Sequence, residues 1–285
     1  MSDQVAVSGS TSSGGKSRDS GQVRAVARAT RIVTALAEHP FPLGIVELAQ
    51  FVQLSPASVH RILVTLVQVG WVEQNTRTAK YRLGMQAVGV GMVGLVSNPV
   101  LHDARMFLSR LAQWSGHDAV LSTLVGFKTV QLTRVAGSAT EFIEFEPGHP
   151  QPAHAMADGK LLMSYMPVEQ RRWLYEAEPL RMFTPNTITD PEAIEREFVA
   201  IQERGYAVDN YERFAVGRGI AAPVMDTEGR PIAAMLCLGK IDPAQDEEIV
   251  QQMLALTREM SERLKGAGDL PASALDLAEP DEEAL

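Results

Sequence analysis

The segment LSPASVHRIL, Leu54 to Leu63, narrows the choice of fold more than any other part of the chain. Ser55 followed by Pro56 reads as a helix N-cap with proline at the first helical position, where the missing N–H leaves no hydrogen bond unmade. At about 100° per residue, Val59, Ile62, Leu63, Leu66 and Val69 fall on one arc, and Ala57, Ser58, Arg61, Thr65 and Gln68 on the opposite one. Gly70 supplies the stop. The segment predicts a helix anchored by one apolar face, with small, hydroxyl and basic residues presented on the other.

Two helical runs precede it. Val26, Ala29, Val33, Leu36 and Ala37 recur at offsets of three and four, with Arg24, Arg28 and Arg31 opposite them, predicting a helix that ends before Pro40. FPLG breaks the pattern, IVELAQFV resumes it through Ile45, Leu48, Ala49 and Val52, and the chain turns at Gln53 to Ser55. After Gly70, WVEQ and KYRL read as strands around the polar tip NTRTA. Helix, helix, turn, helix and a two-stranded wing is the winged helix-turn-helix layout. A generic helical domain with a hairpin would need neither the short second helix nor the small residues that open the third.

With the third helix in a major groove, Ala57, Ser58 and Arg61 face base edges or phosphates, Ser55 and Thr65 share that side, and His60 borders it. A bidentate arginine–guanine contact is worth about 1–3 kcal/mol of discrimination, but half or more of protein–DNA contacts go to the backbone, so Arg61 can read a base or position a phosphate. Arg77 and Lys80 suit phosphate or minor-groove contact from the wing, the alternative being an ordinary solvated hairpin.

A net charge of −9 over 285 residues argues at first against a nucleic-acid partner. Its distribution reverses the argument: residues 1–85 carry nine Lys/Arg against five Asp/Glu, residues 86–285 seventeen against thirty. A basic module joined to an acidic one fits this asymmetry. No stretch approaches the roughly 18–20 apolar residues of a membrane span, so a soluble protein with no membrane partner is expected. The Ser/Gly-rich start MSDQVAVSGSTSSGGKSRDSG lacks an apolar signal-peptide core and reads as a flexible tail. The single cysteine, Cys237, excludes an intrachain disulfide and zinc spacing, in keeping with a reducing cytoplasm.

Beyond the wing, GMQAVGVGMVGLV is apolar and glycine-rich and reads as a connector. Gly84, Gly89, Gly91 and Gly94 each lower helix propensity by about 1 kcal/mol relative to alanine, yet admit a close backbone, so a dimer contact and a plain linker both stay open. Asn98 and Pro99 then open a helix to about Ser115, AVLSTLV and TVQLTRVA form a hairpin around Gly126 to Lys128, and EFIEF reads as a strand. The loop EPGHPQPAHA leads to helices near Asp158 to Met166 and Pro167 to Glu176, and Thr189, Asp190 and Pro191 cap another ending at Gly205. GIAAPVM and PIAAMLCLG flank the turn DTEGR, a last helix runs from about Asp242 to Lys265, and an acidic tail follows. The expected division is a disordered tail 1–21, a DNA-binding domain 22–83, a linker helix 84–97, an effector-binding domain 98–265 and a disordered tail 266–285. The fold class is α+β on an antiparallel sheet.

Residues 22–265 resemble the isocitrate lyase regulator (IclR) family of bacterial transcription factors. The resemblance rests on ELAQFVQLSPASVHRILVTLVQVGWVEQ with KYRLG, on DGKLLMSYMP, on FTPNTITDPEAI with ERGYAVDN, and on GIAAPVMDTEGRPIAAM. It implies a winged helix-turn-helix, a linker helix, a C-terminal effector-binding domain similar to GAF and PAS modules, and homodimers or homotetramers on double-stranded operator DNA. Ala57 stands where the family often has serine, which removes one side-chain hydrogen bond to DNA.

The resemblance also places a small-molecule site. In relatives that bind small oxo acids, an aspartate, a cysteine and two serines hold the ligand; those places here carry Asp209, Gly219, Leu236 and Leu238. Leucines in place of donors favour a more apolar or aromatic organic acid, unless Leu236 and Leu238 only fill a core and Asp209 only closes a turn. Gly159 matches a family glycine whose N–H can meet an anion, although Asp158 beside it opposes one. The class that competes with a regulator is a GAF-like sensor or enzyme with no role at DNA. His117, His149, His154, Asp158 and Cys237 show no catalytic or metal-ligand spacing, and GVGMVG lacks the strand and lysine of a phosphate loop. No catalytic residue, metal or cofactor is expected.

Overall fold

The computed structural model describes residues 23–39, 41–139, 148 and 150–265. The two expected tails, the strand EFIEF and His149 lie outside the described residues.

The N-terminal unit begins with α1 (Arg24–Glu38), α2 (Ile45–Phe51) and α3 (Pro56–Gln68). It ends in a wing of β1 (Val72–Gln74) and β2 (Tyr81–Leu83). Its core joins Ile32, Ala35 and Leu36 of α1, Leu48 and Ala49 of α2, and Val59, Leu63 and Leu66 of α3, closed by Val72 and Tyr81. The inward face of α1 differs from the expected one. Val26 and Ala37 are exposed and Ile32 and Ala35 buried, because the arc through Ile32, Ala35 and Leu36 is the one that meets α2, α3 and β2. Arg31 also turns inward, donating to the Val52 carbonyl at 2.7 Å. The wing is broader than two strands: Leu43, inside the segment read as a break, exchanges two backbone hydrogen bonds with Tyr81.

The C-terminal unit is built on a six-stranded antiparallel sheet in the order β5-β4-β3-β8-β7-β6. Its strands are β3 (Asp118–Val125), β4 (Lys128–Val135), β5 (Gln151–Pro152), β6 (Ala207–Asp209), β7 (Arg218–Met225) and β8 (Pro231–Gly239). The two-residue period divides each central strand between two cores. Ala119, Leu121, Ile220, Ala222, Met235 and Cys237 face α5 (Pro99–Ser115) and α9 (Asp246–Lys265). Val120, Leu124, Ala221, Ala234, Leu236 and Leu238 face α6 (Ala157–Ser164), α7 (Val168–Ala177) and α8 (Pro191–Arg204). Strands β5 and β6, two and three residues long, escaped the sequence reading, and α9 starts four residues later than expected because Pro243–Gln245 forms a 3-10 turn.

Between the units runs α4 (Met85–Val96), none of whose residues is buried. Of its expected close-approach glycines only the preceding Gly84 meets backbone within the chain, where a Cβ would lie 2.3 Å from the Gly70 carbonyl oxygen. Gly89, Gly91 and Gly94 face open space. Among the described residues no helix is long and apolar enough to cross a membrane.

Candidate DNA interface and effector site

The presentation of α3 follows from its two ends. Ser55 Oγ accepts the Ser58 N–H at 3.3 Å and lies 2.9 Å from Ser58 Oγ, so the cap engages both serines. At the other end the N–H of Gly70 donates to the Val67 carbonyl and that of Trp71 to the Leu66 carbonyl, while Gly70 adopts φ +74°. This double closure is the Schellman arrangement, which a left-handed glycine allows. Gln53, at φ 51°, makes the turn between α2 and α3. Held by Val59, Leu63 and Leu66, the helix leaves Ala57, His60, Arg61 and Thr65 exposed, with Ser58 half-buried. The Arg61 guanidinium has no ion-pair partner among the described residues.

In the wing, Asn75 Oδ1 accepts the N–H groups of Arg77 at 2.9 Å and Thr78 at 3.1 Å, fixing the tip and leaving the Arg77 side chain in solvent. Lys80 lies 3.5 Å from Glu47, whose carboxylate accepts the Gly44 N–H at 2.6 Å at the start of α2. The backbone bond and Lys80 hold the Glu47 carboxyl below its usual range. Both partners are exposed, so solvent screens the pair and it holds the lysine only weakly.

In the C-terminal unit, register puts the expected effector residues side by side on the face toward α6. Asp209 is opposite Gly219, Gly219 is opposite Leu238, and Leu236 pairs one step along with Ala221. Leu236 and Leu238 are buried in the core there. A Cβ on Gly219 would stand 2.9 Å from Leu236 Cδ1 and 3.5 Å from the Ala157 Cβ. The missing side chain at 219 and the large one at 236 therefore complement each other. Packing by itself calls for glycine at 159: a Cβ there would fall 2.2 Å from the Ala153 carbonyl oxygen, and the Gly159 N–H faces the Asp158 carboxylate.

Asp158 is fully buried, accepts a hydrogen bond from Ser122 Oγ at 2.5 Å through Oδ2, and has its carboxyl pKa raised by burial. Asp209 Oδ1 accepts the Glu212 N–H at 2.6 Å, while Oδ2 has no partner among the described residues. Burial, with the neighbouring Glu212 adding to it, pushes the Asp209 carboxyl up to about 7. Lys160, unnoticed in the sequence, is buried above this group. Its Nζ pairs with Glu212, donates to the Val208 carbonyl at 2.8 Å and lies 3.8 Å from Glu197. The clue was a lysine inside the otherwise apolar run GKLLM.

Asp209 is surrounded by Glu212 and Arg213 from its own loop, Lys160 from α6 and Arg218 from β7. A carboxyl with a raised folded-state pKa binds its proton more tightly folded than unfolded. Its stabilising contribution is thus complete below the ordinary carboxyl pKa of 3.8 and is lost as pH rises through about 7. Asp209→Asn, which keeps an acceptor for Glu212 N–H, should raise stability above pH 7 by about 1–3 kcal/mol and flatten its pH dependence. Denaturant unfolding at pH 5.5 and 8 checks this; a variant that loses more stability at pH 8 than at 5.5 contradicts it.

With this geometry in place, comparison with known proteins gives a consistent result. The IclR helix-turn-helix domain matches residues 25–76, and the bacterial transcriptional regulator IclR C-terminal domain matches residues 92–265. The HTH-type transcriptional regulator BhcR of Paracoccus denitrificans is 33% identical over 247 residues, covering 85% of this chain and 88% of its own. XynR of Escherichia coli is 30% identical, covering 83% and 96%. Among solved structures, an IclR homologue from Microbacterium hydrocarbonoxydans complexed with 4-hydroxybenzoate superposes with a TM-score of 0.65 at 23% identity, covering 85% of this chain and 99% of that one. Members of this family are transcriptional regulators, not enzymes. Matched through both halves, the chain belongs to the IclR family of bacterial transcriptional regulators, DNA-binding proteins that respond to small molecules.

Proposed function

We propose that this regulator acts in the cytoplasm as a symmetric dimer or tetramer on a near-palindromic operator, controlling a catabolic operon in response to an apolar or aromatic organic acid. The observation that carries the reading is the face of α3: Ala57, Arg61 and Thr65 stand free in solvent while the opposite face is locked into a core. Ser55, Ser58 and His60 complete that face, and Arg77 and Lys80 flank it from the wing. Two copies meet through α4, which has no charged residue yet exposes Met85, Met92, Val93 and Val96. The acid lies near Gly159, Asp209, Gly219, Leu236 and Leu238, where the leucines supply apolar surface. The bound 4-hydroxybenzoate of the Microbacterium protein supports an aromatic acid as the ligand class. Binding changes operator affinity only through a difference in affinity for the two arrangements of the paired DNA-binding domains (residues 22–83).

Footprinting of the DNA upstream of the chain's own gene and of its neighbours tests this reading. Two protected half-sites related by a two-fold axis, about one helical turn or a multiple apart, are expected. Absence of protection, or a single asymmetric patch, contradicts it.

A further inference from the structure

Arg213 follows Asp209 by four residues in the loop between β6 and β7, and its backbone N–H reaches the Asp209 carboxylate. The side chain is half-buried, with its guanidinium carbon 4.4 Å from the centre of the Phe183 ring and 4.6 Å from that of Phe214. Arg181 approaches the same Phe183 ring to 5.4 Å. The hydrogen bonds that Arg213 makes go to a neutral group, Gln151 Oε1, at 3.3 and 3.2 Å. Elsewhere in this unit buried or half-buried arginines find acids: Arg171 with Glu195, Arg204 with Glu197, and Arg218 with Asp246. Arg213 and Arg181 have no carboxylate at ion-pair distance among the described residues. Burial and the Arg181 charge both hold the Arg213 pKa down, against the pull of Asp209.

Two cations drawn around one ring, one of them partly desolvated, are costly unless an anion completes the group. Contact with Phe183 and Phe214 confines the Arg213 guanidinium between two rings, and a confined guanidinium loses little further freedom on taking a carboxylate bidentately. We infer that Arg213, assisted by Arg181, receives the carboxylate of the effector, so that the body of the acid extends toward Gly219, Leu236 and Leu238. The assignment rests on the effector reading above and specifies it: the ligand is an acid because of Arg213, on a loop that no motif match singled out. Arg213 then sets the preference for acids over their neutral counterparts, while the leucines contribute affinity common to both.

Calorimetric titration of the full chain with benzoate, 4-hydroxybenzoate and phenylacetate, each beside its corresponding alcohol, tests this. At least one acid should bind roughly 10-fold or more tightly than its alcohol, as expected for a charge-assisted bidentate contact. Arg213→Gln should remove that preference, Arg213→Lys should keep part of it, and Arg181→Gln, at an exposed position, should reduce it less. The inference is overturned if no acid binds at millimolar concentration, if acid and alcohol bind wild type equally, or if Arg213→Gln keeps the acid preference. Should Arg213→Gln not fold, the acid–alcohol comparison in wild type and in Arg181→Gln decides. Specific operator binding by the ligand-free wild type is measured separately. If it persists while the acid preference is absent, this inference alone fails; if it is missing, the regulator reading fails.

Discussion

Arg61→Ala is expected to cost about 1–3 kcal/mol per half-site, so that a two-fold complex loses operator affinity by roughly 30-fold or more while the fold is unchanged. Truncation leaves the fold intact because the side chain lies on the exposed arc of α3, away from Val59, Leu63 and Leu66. Arg61→Lys separates the two roles open to this residue. If the guanidinium reads a guanine, lysine keeps the charge and non-specific binding but loses the bidentate fork, and operator affinity falls toward that for random DNA. If it only positions a phosphate, lysine substitutes well, and alanine weakens all sequences alike while lowering the salt slope by about one per arginine. Anisotropy titrations on operator and random duplexes provide the measurement. An unchanged operator affinity for Arg61→Ala contradicts its place in the interface.

The second large effect is structural. Gly159→Ala would place a Cβ 2.2 Å from the Ala153 carbonyl oxygen and 2.4 Å from its Cα. Both segments are buried, and the obstructing atoms are backbone, so neither can turn aside. The expected loss is about 3 kcal/mol or more, as for overpacked cores, with α6 displaced from the sheet. Gly219→Ala is a milder case, because the nearest atom is the tip of Leu236 at 2.9 Å. It should cost about 1 kcal/mol, and Leu236→Val should relieve part of that, a coupling a double-mutant cycle reads directly. Equal stability of Gly159→Ala and wild type in denaturant unfolding contradicts the packing described here.

What could be read from the sequence was local. Ser55-Pro56 and Gly70 bound α3 through hydrogen bonds within a few residues, and the apolar runs AVLSTLV, GIAAPVM and PIAAMLCLG were legible as strands of an antiparallel sheet. What escaped was either too short to show a period or joined across long separations. Leu43 pairs with Tyr81 as a single bridge, and β6 has three residues. Lys160 meets Glu212 across 52 residues, and Arg213 meets Gln151 across 62. The face of α1 was misjudged because RAVARATRIVTALAE carries apolar residues on more than one helical arc, and the arc through Val26 and Ala37 was chosen over the one through Ile32 and Ala35. Asp209, Gly219, Leu236 and Leu238, which the resemblance groups together, are neighbours on the sheet. The backbone contact between Gly159 and Ala153 needed coordinates.

We propose that the exposed arc of α3 gives this chain sequence-specific binding to DNA. It is tested most directly by the ratio of its affinities for the footprinted operator and for random duplex of equal length, measured through a salt series. A ratio of about a thousandfold or more is expected near physiological salt, with log affinity falling linearly against log salt. A ratio near one, or binding indifferent to salt, would contradict it.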